Sequence, residues 1–489
     1  MISVRVVQKY DCDVLIVGGG PSGSSLAYRL AESGLKTIVL EAHTFPRDKV
    51  CGDGVSPIAL TELEKLGITN LQKFKKANEI TKVGLFINDE KVFINLPTAK
   101  HLPFHARIIP RLELDNWIYE AAKSKGAIFK EDTRLVHFET AATAVTAKIK
   151  QGDTISYVRS KMIVGADGSN STVARIINGE KASENFQLLG LRAYYENVNG
   201  PNDRVDIFFT KDNFPGIYWM FPSGDKKANI GLAMVASTLP KNEHHVKTLL
   251  VNHILQNKDI ADRIGKGKIK GKIAGWPLTF YNSKNSITGN RLLLIGDAAG
   301  LINPLSGDGI QYALLSGRWA SECIIECAKQ NDFSNKALLI YKKKINEELA
   351  YDFALSNMLI QFARNRTLTP VWMEIMEVLI EQAQADKEYA DIIAGIFEGT
   401  YPSYKALNTD FITKSLMQGG IHVGSLASKN ILEGPAQWLK TGTQARKMAF
   451  SILDSLKQNP SGNLEWLTSL LGNGLSVVGH VLKNKSPFN

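Results

Sequence analysis

The chain of 489 residues contains few cysteines and no long apolar run. Its four cysteines are Cys12, Cys51, Cys323 and Cys327, which form no C-x-x-C pair and have no histidine cluster beside them. That pattern argues against a disulfide framework and against a zinc site, so we expect no metal. No apolar run approaches the roughly 18 residues of a membrane-spanning helix, and charged residues interrupt the N-terminal segment before the apolar stretch of a signal peptide can develop. These absences predict a cytoplasmic protein.

Neither sign of charge is scarce, but the balance is basic. The chain carries 58 Lys and Arg against 48 Asp and Glu, a formal net charge of +10. A basic surface can attract nucleic acid, anionic lipid or a phosphorylated cofactor, and it can also simply keep a protein soluble. With 44% hydrophobic and 22% charged residues, the composition indicates a globular protein of about two to four domains and excludes a disordered or collagen-like chain.

A glycine-rich turn near the N-terminus is the most informative short segment. The apolar run 14–17 predicts a buried strand, and Gly18, Gly20 and Gly23 follow it in the spacing G-x-G-x-x-G. The first glycine allows a tight turn, the second lets a pyrophosphate approach the backbone, and the third lets a helix pack on the strand. Residues 24–33 have helical apolar spacing, so that helix would direct its N-terminal N–H groups at phosphates. The segment predicts a dinucleotide site.

An acidic residue lies at the distance that such a site requires. A second apolar strand is predicted at 37–40, and Glu41 follows it directly. A carboxylate there can accept both hydrogen bonds of a ribose diol and would repel a 2′-phosphate. Glu41 is therefore predicted to hold the ribose of the dinucleotide.

Two more motifs place an acid where a predicted strand ends. Asp167-Gly168 follows one apolar run, and Gly296-Asp297 follows another. Open α/β sheets bind ligands at the carboxyl ends of their strands. Because Asp-Gly also favours turns, a turn without a ligand is the alternative for Asp167.

Together, the glycine triad and these two motifs resemble the FAD-dependent oxidoreductases of the p-hydroxybenzoate hydroxylase fold group, over about residues 11–320. The resemblance implies an α/β (α+β) fold with a Rossmann-like FAD-binding domain, an inserted antiparallel substrate-binding sheet and a C-terminal helical region. The expected FAD-binding parts are 1–80, 106–185 and 281–330. The expected substrate-sheet parts are 81–105 and 186–280, and the expected helical domain is 331–489.

The same resemblance implies the contacts of the cofactor. Glu41 would hold the adenosine ribose, and Arg111 would contact FAD. The backbone near Leu135 would lie against adenine, and Asp297 would bind the ribityl or pyrophosphate region. The helix that begins at Ile310 would direct its positive end at the flavin N1–C2=O edge. The full set of expected FAD contacts is Gly18, Gly20, Pro21, Ser22, Gly23, Glu41, Cys51, Gly52, Arg111, Leu135, Asp297, Pro304, Gly307, Gly309 and Ile310.

Two segments resemble the geranylgeranyl reductase family, which reduces isolated double bonds of polyprenyl chains. Residues 47–54 match that family's Arg-x-Lys-x-Cys-Gly-x-Gly stretch, and residues 218–222 match its aromatic Trp-x-Phe-Pro segment. The family's tyrosine stands two residues before the tryptophan, where this chain has Ile217. Alternating side chains of a strand can face a cavity, although core packing is the alternative explanation. The resemblance implies an apolar, prenyl-type substrate that contacts Tyr218, Trp219 and Phe221.

Cys51 is the candidate catalytic residue. Reducing an alkene requires a hydride on one carbon and a proton on the other, and a thiol, or a water that it holds, can donate that proton. A small buried cysteine that packs under the flavin is the alternative role.

The predicted activity is flavin-dependent reduction of carbon–carbon double bonds in a prenyl or other lipid-like substrate. A flavin-dependent monooxygenase, acting as a hydroxylase or epoxidase, is the closest alternative. A halogenase is a weaker alternative, because the first tryptophan of the halogenase Trp-x-Trp-x-Ile-Pro segment is absent. Outside enzymes, the alternative is a lipid-binding carrier whose flavin is structural.

The sequence specifies the electron donor and the C-terminal third less closely. No second G-x-G-x-x-G follows a strand, so NAD(P)H would visit transiently, and an acidic ferredoxin-like protein is the alternative donor. Helical spacing occurs at 336–355, 371–397 and 442–457. The segment 464–483 is predicted either to lie on a membrane surface or to dock on the protein itself. We expect the basic charge to serve a pyrophosphate, an acidic donor or anionic lipid, and we expect no nucleic acid partner.

Overall fold

The computed structural model describes residues 10–88, 90–97, 101–179, 184–210, 214–239, 243–282, 285–366 and 369–402. Its strands are β1 (Cys12–Val17), β2 (Thr37–Leu40), β3 (Gly54–Val55), β4 (Asn78–Glu79), β5 (Lys82–Ile87), β6 (Glu90–Asn95), β7 (Arg107–Ile108), β8 (Ile128–Lys130), β9 (Thr133–Thr140), β10 (Val145–Gln151), β11 (Thr154–Gly165), β12 (Gln187–Glu196), β13 (Arg204–Phe209), β14 (Ile217–Gly224), β15 (Lys227–Val235), β16 (Lys268–Thr279), β17 (Thr288–Gly289) and β18 (Leu292–Leu294). Its helices are α1 (Pro21–Glu32), α2 (Pro57–Glu64), α3 (Gln72–Lys75), α4 (Arg111–Ser124), α5 (Thr172–Asn178), α6 (Glu243–Gln256), α7 (Lys258–Ile264), α8 (Ile310–Gln330), α9 (Asn335–Ala363), α10 (Thr369–Ala385) and α11 (Lys387–Glu398).

The first sheet has β1 at its centre, in the order β17-β18-β11-β1-β2-β8, and the antiparallel strands β10 and β9 continue from β11. β1 pairs in parallel with β2 and β11, and β11 pairs in parallel with β18. Val14, Leu15 and Ile16 of β1 are fully buried, as strands of a parallel sheet covered on both faces must be. The parallel pairing brings the carboxyl ends of β1, β2 and β11 to one edge.

Helices α1 and α8 cross closely because small residues meet at the crossing. A Cβ atom at Gly317 would lie 2.4 Å from Ser25 Oγ and 3.0 Å from the carbonyl oxygen of Ser22. Any side chain at Gly317 would push the two helices apart. The contact ties the start of α1 to the first turns of α8.

The second sheet has seven strands in the order β16-β12-β15-β14-β13-β5-β6, and all neighbours pair in antiparallel fashion except β13 and β5. Helices α6 and α7 cover one face, where Leu250 and Tyr218 belong to the same core. Helices α10 and α11 contribute to a different core, which contains Ile393 together with Val83 of β5. The two faces of the second sheet therefore pack against different helices.

The predicted fold class is confirmed: a parallel sheet, an added and mainly antiparallel sheet, and helices after residue 334. The helical spacing at 336–355 and 371–397 corresponds to α9, α10 and α11. The predicted helices at 442–457 and 464–483 lie outside the described residues. In the described part of the chain, no helix is long and apolar enough to cross a membrane.

Candidate functional site

A cavity of about 750 Å³ lies at the carboxyl edge of the first sheet, where that sheet meets the second. Val17 and Leu40 contribute to its wall from the ends of β1 and β2, and Ala166 contributes from the residue after β11. The second sheet adds side chains such as Ile207. Crevices at this edge of a parallel sheet are where open α/β folds bind ligands.

The glycine turn between β1 and α1 is tightly packed except at one position. Gly18 has a φ of +104°, and a Cβ atom there would lie 2.3 Å from the carbonyl oxygen of Ala166. A Cβ atom at Gly23 would lie 1.9 Å from the carbonyl oxygen of Gly18, so Gly23 allows the helix to pack and does not line the cavity. Gly20 is open, since the atom nearest to a Cβ placed there is Arg47 Nη2, at 3.5 Å.

The N-termini of α1 and α8 both meet this cavity. Helix α1 begins at Pro21, three residues before the start predicted from apolar spacing, because proline suits the first turn of a helix. Helix α8 begins at Ile310. Unpaired N–H groups and the positive end of the helix dipole favour an anionic ligand at such ends. The predicted cofactor residues in these two parts of the cavity wall are Gly18, Gly20, Pro21, Ser22, Pro304, Gly307, Gly309 and Ile310.

Glu41 is buried directly after β2, and three groups hold its carboxylate. Its Oε2 accepts a hydrogen bond from the Gly19 N–H at 2.9 Å, and its Oε1 accepts one from the His43 N–H at 3.0 Å. Arg47 Nε lies 3.5 Å from Oε1. Each carboxylate oxygen retains a further lone pair, so Glu41 can accept from ribose hydroxyls at a fixed position of the cavity wall.

Arg111 begins α4 and shares a carboxylate with Arg47. Its Nε and Nη2 donate to the two oxygens of Asp115 at 2.6 and 2.9 Å, and Arg47 Nη1 donates to Asp115 Oδ2 at 2.9 Å. Burial alone would lower the pKa of Arg111, but the Asp115 carboxylate raises it well above its usual value. One buried carboxylate thus holds two charged guanidinium groups at the cavity wall, where they suit a phosphate or carbonyl oxygen.

Asp297 and Leu135 line the same cavity from different parts of the first sheet. Asp297 lies in the short 3-10 helix Gly296–Ala299 after β18, and Ser169 Oγ donates to its Oδ2 at 3.3 Å. Burial raises the pKa of Asp297, while the Lys49 ammonium acts in the opposite direction. Leu135 lies in β9, as a cofactor that extends across the carboxyl edge of the sheet would require.

Asp167 also lines the cavity, but its carboxylate completes a local cap. Its Oδ1 accepts from Ser171 Oγ at 2.5 Å. Its Oδ2 accepts from the N–H groups of Thr172 and Val173, at 2.7 and 3.3 Å. These bonds satisfy unpaired N–H groups at the start of α5, so the Asp167-Gly168 motif is explained without a ligand.

The residues of this wall fit FAD. Gly20 and Gly307 leave space that a Cβ atom would occupy, and no atom lies within 4 Å of a Cβ placed on Gly307. Backbone N–H groups can therefore approach a pyrophosphate closely. Glu41 suits the ribose, and Arg111 suits a phosphate or carbonyl oxygen.

Cys51 lies in the loop between β2 and β3, and both it and Gly52 line the cavity. It is partly exposed, whereas the other three cysteines of the chain are buried. Burial raises the pKa of the Cys51 thiol, and the Arg111 guanidinium only partly opposes this effect, so the thiol keeps its proton at neutral pH. A Cβ atom at Gly52 would lie 3.2 Å from the Phe221 ring. The Cys51 loop therefore lies directly against the second sheet.

The three predicted substrate residues of β14 point to two different faces. Trp219 and Phe221 line the cavity, and so does Ile217, which occupies the place of the family's tyrosine. Tyr218 is fully buried on the opposite face, where its ring stacks on His253 with 3.5 Å between centroids. Successive side chains of a strand alternate in direction, so the structure does not bring Tyr218 to the cavity, and we exclude it from the substrate wall.

Sequence reasoning missed a buried polar network behind Cys51. Asp53 has no exposed surface and a φ of +65°, and its Oδ2 accepts from Tyr194 Oη and Asn229 Nδ2, both at 2.8 Å. Asn229 Nδ2 also donates to the Cys51 carbonyl oxygen at 2.7 Å, and Asn229 Oδ1 accepts from Trp219 Nε1 at 3.0 Å. The sequence signal that could have indicated this network is the acidic residue between two glycines in Cys-Gly-Asp-Gly.

Three ionisable groups in the cavity wall have pKa values of about 7. Lys49 Nζ lies 3.4 Å from the centroid of the Trp276 ring, and burial lowers the pKa of Lys49 to about 7. Burial raises the pKa of Asp308 and that of Glu398 to about 7. These groups can exchange protons near neutral pH.

A large part of the cavity wall is apolar. It is built by the second sheet, the segments beside it, and helices α9 and α11, which contribute Ile80, Val83, Leu96, Ile108, Val205, Ile207, Ile217, Leu278, Ile360 and Phe397. Such a wall favours an extended hydrophobic ligand, because binding removes apolar surface from water on both sides.

A profile of the FAD-binding domain family matches residues 11–315, which is more than half of the chain. The chain belongs to this family. It is an FAD-dependent oxidoreductase.

Similar proteins narrow the family of this FAD-dependent oxidoreductase. A menaquinone reductase of Mycolicibacterium smegmatis is 26% identical over 76% of this chain and 93% of its own length. A digeranylgeranylglycerophospholipid reductase of Thermoplasma acidophilum is 29% identical over 68% of this chain and 83% of its own. The second of these relatives, together with the structure described next, confirms the resemblance to the geranylgeranyl reductase family.

Solved structures share the architecture of the oxidoreductase. A geranylgeranyl bacteriochlorophyll reductase-like protein of Thermoplasma acidophilum has a TM-score of 0.67 at 25% identity, covering 81% of this chain and 98% of that one. A flavin-dependent brominase has a TM-score of 0.65 at 17% identity, covering 85% and 99%. The likeness to the brominase shows a common fold alone.

Proposed function

We propose that this oxidoreductase reduces carbon–carbon double bonds of a prenyl or other extended, lipid-like substrate. The observation that carries the proposal is the division of the cavity wall: one cavity combines residues that suit FAD with apolar side chains from the second sheet, α9 and α11. The Cys51 loop contacts both parts of the wall: Arg111 on the cofactor side and Phe221 on the apolar side. The names of the similar reductases support the same substrate class.

In the proposed complex, the apolar wall holds the hydrocarbon chain. Trp219 and Phe221 offer aromatic surface beside the Cys51 loop, and Ile217 continues the same face of β14. Burial of apolar chain contributes about 25 cal/mol per Å², so a substrate of several isoprene units gains affinity without polar contacts. The wall therefore selects for length and hydrophobicity, and the cofactor end of the cavity selects the bond that reacts.

Cys51 is the proposed proton donor. When bound, reduced FAD supplies a hydride, which carries two electrons and one of the two hydrogens that the double bond gains. Cys51 supplies the second hydrogen as the proton of its Sγ–H, which burial keeps on the sulfur at neutral pH. The Arg111 guanidinium stabilises the thiolate that remains, and Lys49, whose pKa is about 7, can return a proton to it. The balance is one double bond reduced for each two electrons delivered.

For the source of electrons we propose NAD(P)H that binds transiently. An acidic ferredoxin-like protein, which a net charge of +10 would attract, is the alternative. We also propose that this oxidoreductase is cytoplasmic and acts at the membrane surface, because a prenyl lipid partitions into bilayers. Adding each donor to the oxidised holoenzyme under argon and recording the loss of the flavin absorption band distinguishes the donors.

A single-turnover reaction tests the proposed activity. The holoenzyme is photoreduced without oxygen and mixed with a geranylgeranyl lipid in detergent, and the return of the oxidised flavin band is recorded. Reoxidation in proportion to the added lipid, without oxygen, is the expected result. Reoxidation that waits for air would favour the monooxygenase or halogenase alternative. A holoenzyme that binds the lipid and is reoxidised in neither case would indicate a carrier.

A further inference from the structure

Asn229 of β15 connects the proposed proton donor to the substrate wall. Its Nδ2 donates to the carbonyl oxygen of Cys51 at 2.7 Å, and its Oδ1 accepts from the indole Nε1 of Trp219 at 3.0 Å. Cys51 lies in a loop that follows the first sheet, whereas Trp219 belongs to the second. One fully buried amide therefore binds both sides of the cavity.

The orientation of this amide is determined by its partners. The Trp219 indole can only donate, and the Cys51 carbonyl can only accept. The second acceptor of Asn229 Nδ2 is Asp53 Oδ2, at 2.8 Å, and an ionised carboxylate also can only accept. A flipped Asn229 would place N–H against N–H and oxygen against oxygen. Asp53 therefore reinforces the direction in which the amide points.

Asp53 is itself held from both sides of the cavity. Its Oδ2 accepts from Tyr194 Oη of the second sheet at 2.8 Å. Its Oδ1 accepts from the N–H of Arg111 at 3.3 Å, and its carbonyl oxygen accepts from the N–H of Ile109 at 2.9 Å. A φ of +65° is uncommon for a residue other than glycine, although aspartate and asparagine tolerate it. These hydrogen bonds therefore hold the Cys51 loop in its conformation.

There is little space for the Cys51 loop to shift. A Cβ atom on Gly52 would lie 3.2 Å from the Phe221 ring and 3.5 Å from Trp219 Nε1. Because the packing is this close, even a small shift of the loop after the loss of an Asp53 or Asn229 bond would change how the thiol lies against the aromatic wall.

We propose that Asn229, oriented by the Asp53 carboxylate, is the residue that positions the Cys51 thiol against the Trp219 wall. The proposal rests on the role of Cys51 given above. Both residues are positioning residues: they act through the Cys51 backbone and the Trp219 ring, and they do not line the cavity themselves.

The rate at which iodoacetamide alkylates Cys51 tests the proposal without relying on turnover. In the FAD-loaded protein the other three cysteines are buried, and peptide mass spectrometry quantifies modification of Cys51 alone. The variant is Asp53→Asn, which tolerates the positive φ but places an N–H where acceptors are required. The matched control is Asp225→Asn, an exposed aspartate in the turn between β14 and β15 with a φ of +48°.

The ionisable groups that face the thiol are Arg111, Asp53 and Lys49. Asp53→Asn removes a negative charge that raises the pKa of Cys51, so the pH midpoint of alkylation should move to lower pH. The rate of Cys51 alkylation at the high-pH plateau should rise about fivefold, because the loss of one hydrogen bond worth about 1 kcal/mol makes the loop easier to displace. The turnover number should fall while the apparent KM changes little, and Asp225→Asn should match the wild type in every measurement.

An Asp53→Asn protein with the wild-type plateau rate at Cys51 would overturn the proposal, even if the pH midpoint moves, because removal of the charge alone shifts the midpoint. If Asp53→Asn does not fold, Tyr194→Phe decides, because it removes one bond to Asp53 and should shift the plateau in the same direction by a smaller factor. An unchanged Tyr194→Phe profile would then overturn it. Should Cys51→Ala reduce lipid at the wild-type rate, the proton-donor role fails, whereas the alkylation result still reports on positioning.

Discussion

The indole ring of Trp219 lies over Gly231, its register partner on the neighbouring strand β15. A Cβ atom at Gly231 would lie 2.0 Å from Cζ2 of Trp219 and 2.5 Å from the carbonyl oxygen of Leu191. The ring occupies the space that a side chain would need, and backbone closes the other side. The position of an aromatic cavity wall is therefore set by a residue that does not line the cavity.

Replacing Gly231 by alanine should displace the Trp219 ring. We expect a loss of stability of about 1–3 kcal/mol, the usual effect of overpacking, and a raised KM for the lipid. Thermal unfolding and steady-state kinetics check this. Gly289→Ala is the matched control, because a Cβ atom at that strand glycine would meet nothing closer than 3.8 Å. Equal effects of the two substitutions would contradict the packing argument.

Replacing Glu41 by glutamine should weaken FAD binding. The carboxylate accepts from Gly19 and His43, and the substitution places an amide N–H against one of these donors or against the ribose. Hydrogen bonds to charged groups contribute about 1.5–3 kcal/mol, so we expect the Kd for FAD to rise roughly 10- to 100-fold. Titration of the apoprotein by flavin fluorescence measures it. The exposed Glu139→Gln serves as control, and an unchanged Kd in Glu41→Gln would refute the ribose role.

Replacing Cys51 by alanine should slow the single-turnover reoxidation by lipid roughly 100-fold or more, as loss of a general acid does. The oxidised flavin spectrum and the Kd for FAD should change little, because the alanine leaves the glycines beside it intact. Stopped-flow absorbance without oxygen gives the rate. Cys327→Ala, a buried position on α8, is the matched control. A wild-type rate in Cys51→Ala would assign the cysteine a packing role.

The stability of the protein should depend on pH through Asp53. Burial raises the pKa of this carboxyl to about 6, and Arg192 and Arg111 oppose the effect only in part. The folded protein therefore keeps a proton that the unfolded chain releases between about pH 4 and 6, so stability falls as pH rises through that window, by up to about 3 kcal/mol. Asp53→Asn lacks this titration. The midpoint of its unfolding by denaturant, relative to that of the wild type, should increase between pH 4 and 6.5. A difference between the two midpoints that does not change with pH would contradict a buried carboxyl with a raised pKa.

The local parts of the fold and site were predictable because their patterns are short. Gly18 and Glu41 stand next to apolar strands in a spacing that backbone geometry explains. The strand alternation that brings Trp219 to the cavity also sends Tyr218 to the opposite face, so alternation predicts Ile217, and not Tyr218, as the neighbour of Trp219 in the cavity wall.

The remaining features depend on register between distant strands. Asp53 and Asn229 are far apart in sequence, and only the pairing of β14 with β15 and the path of the Cys51 loop bring them within 2.8 Å. Phe397 of α11 reaches the cavity because helices after residue 369 pack on the second sheet. Apolar spacing predicts that those helices exist, but it does not say which surface they cover.

The mass of the lipid product tests the central claim most directly. The holoenzyme, a chemical reductant and a geranylgeranyl lipid are incubated without oxygen, and the lipid is extracted for mass spectrometry. The account predicts a product that has gained two hydrogen atoms for each reduced double bond, and whose initial rate of formation falls roughly 100-fold or more when Cys51→Ala replaces the wild type. A product formed only in air and carrying an added oxygen or halogen atom would contradict it.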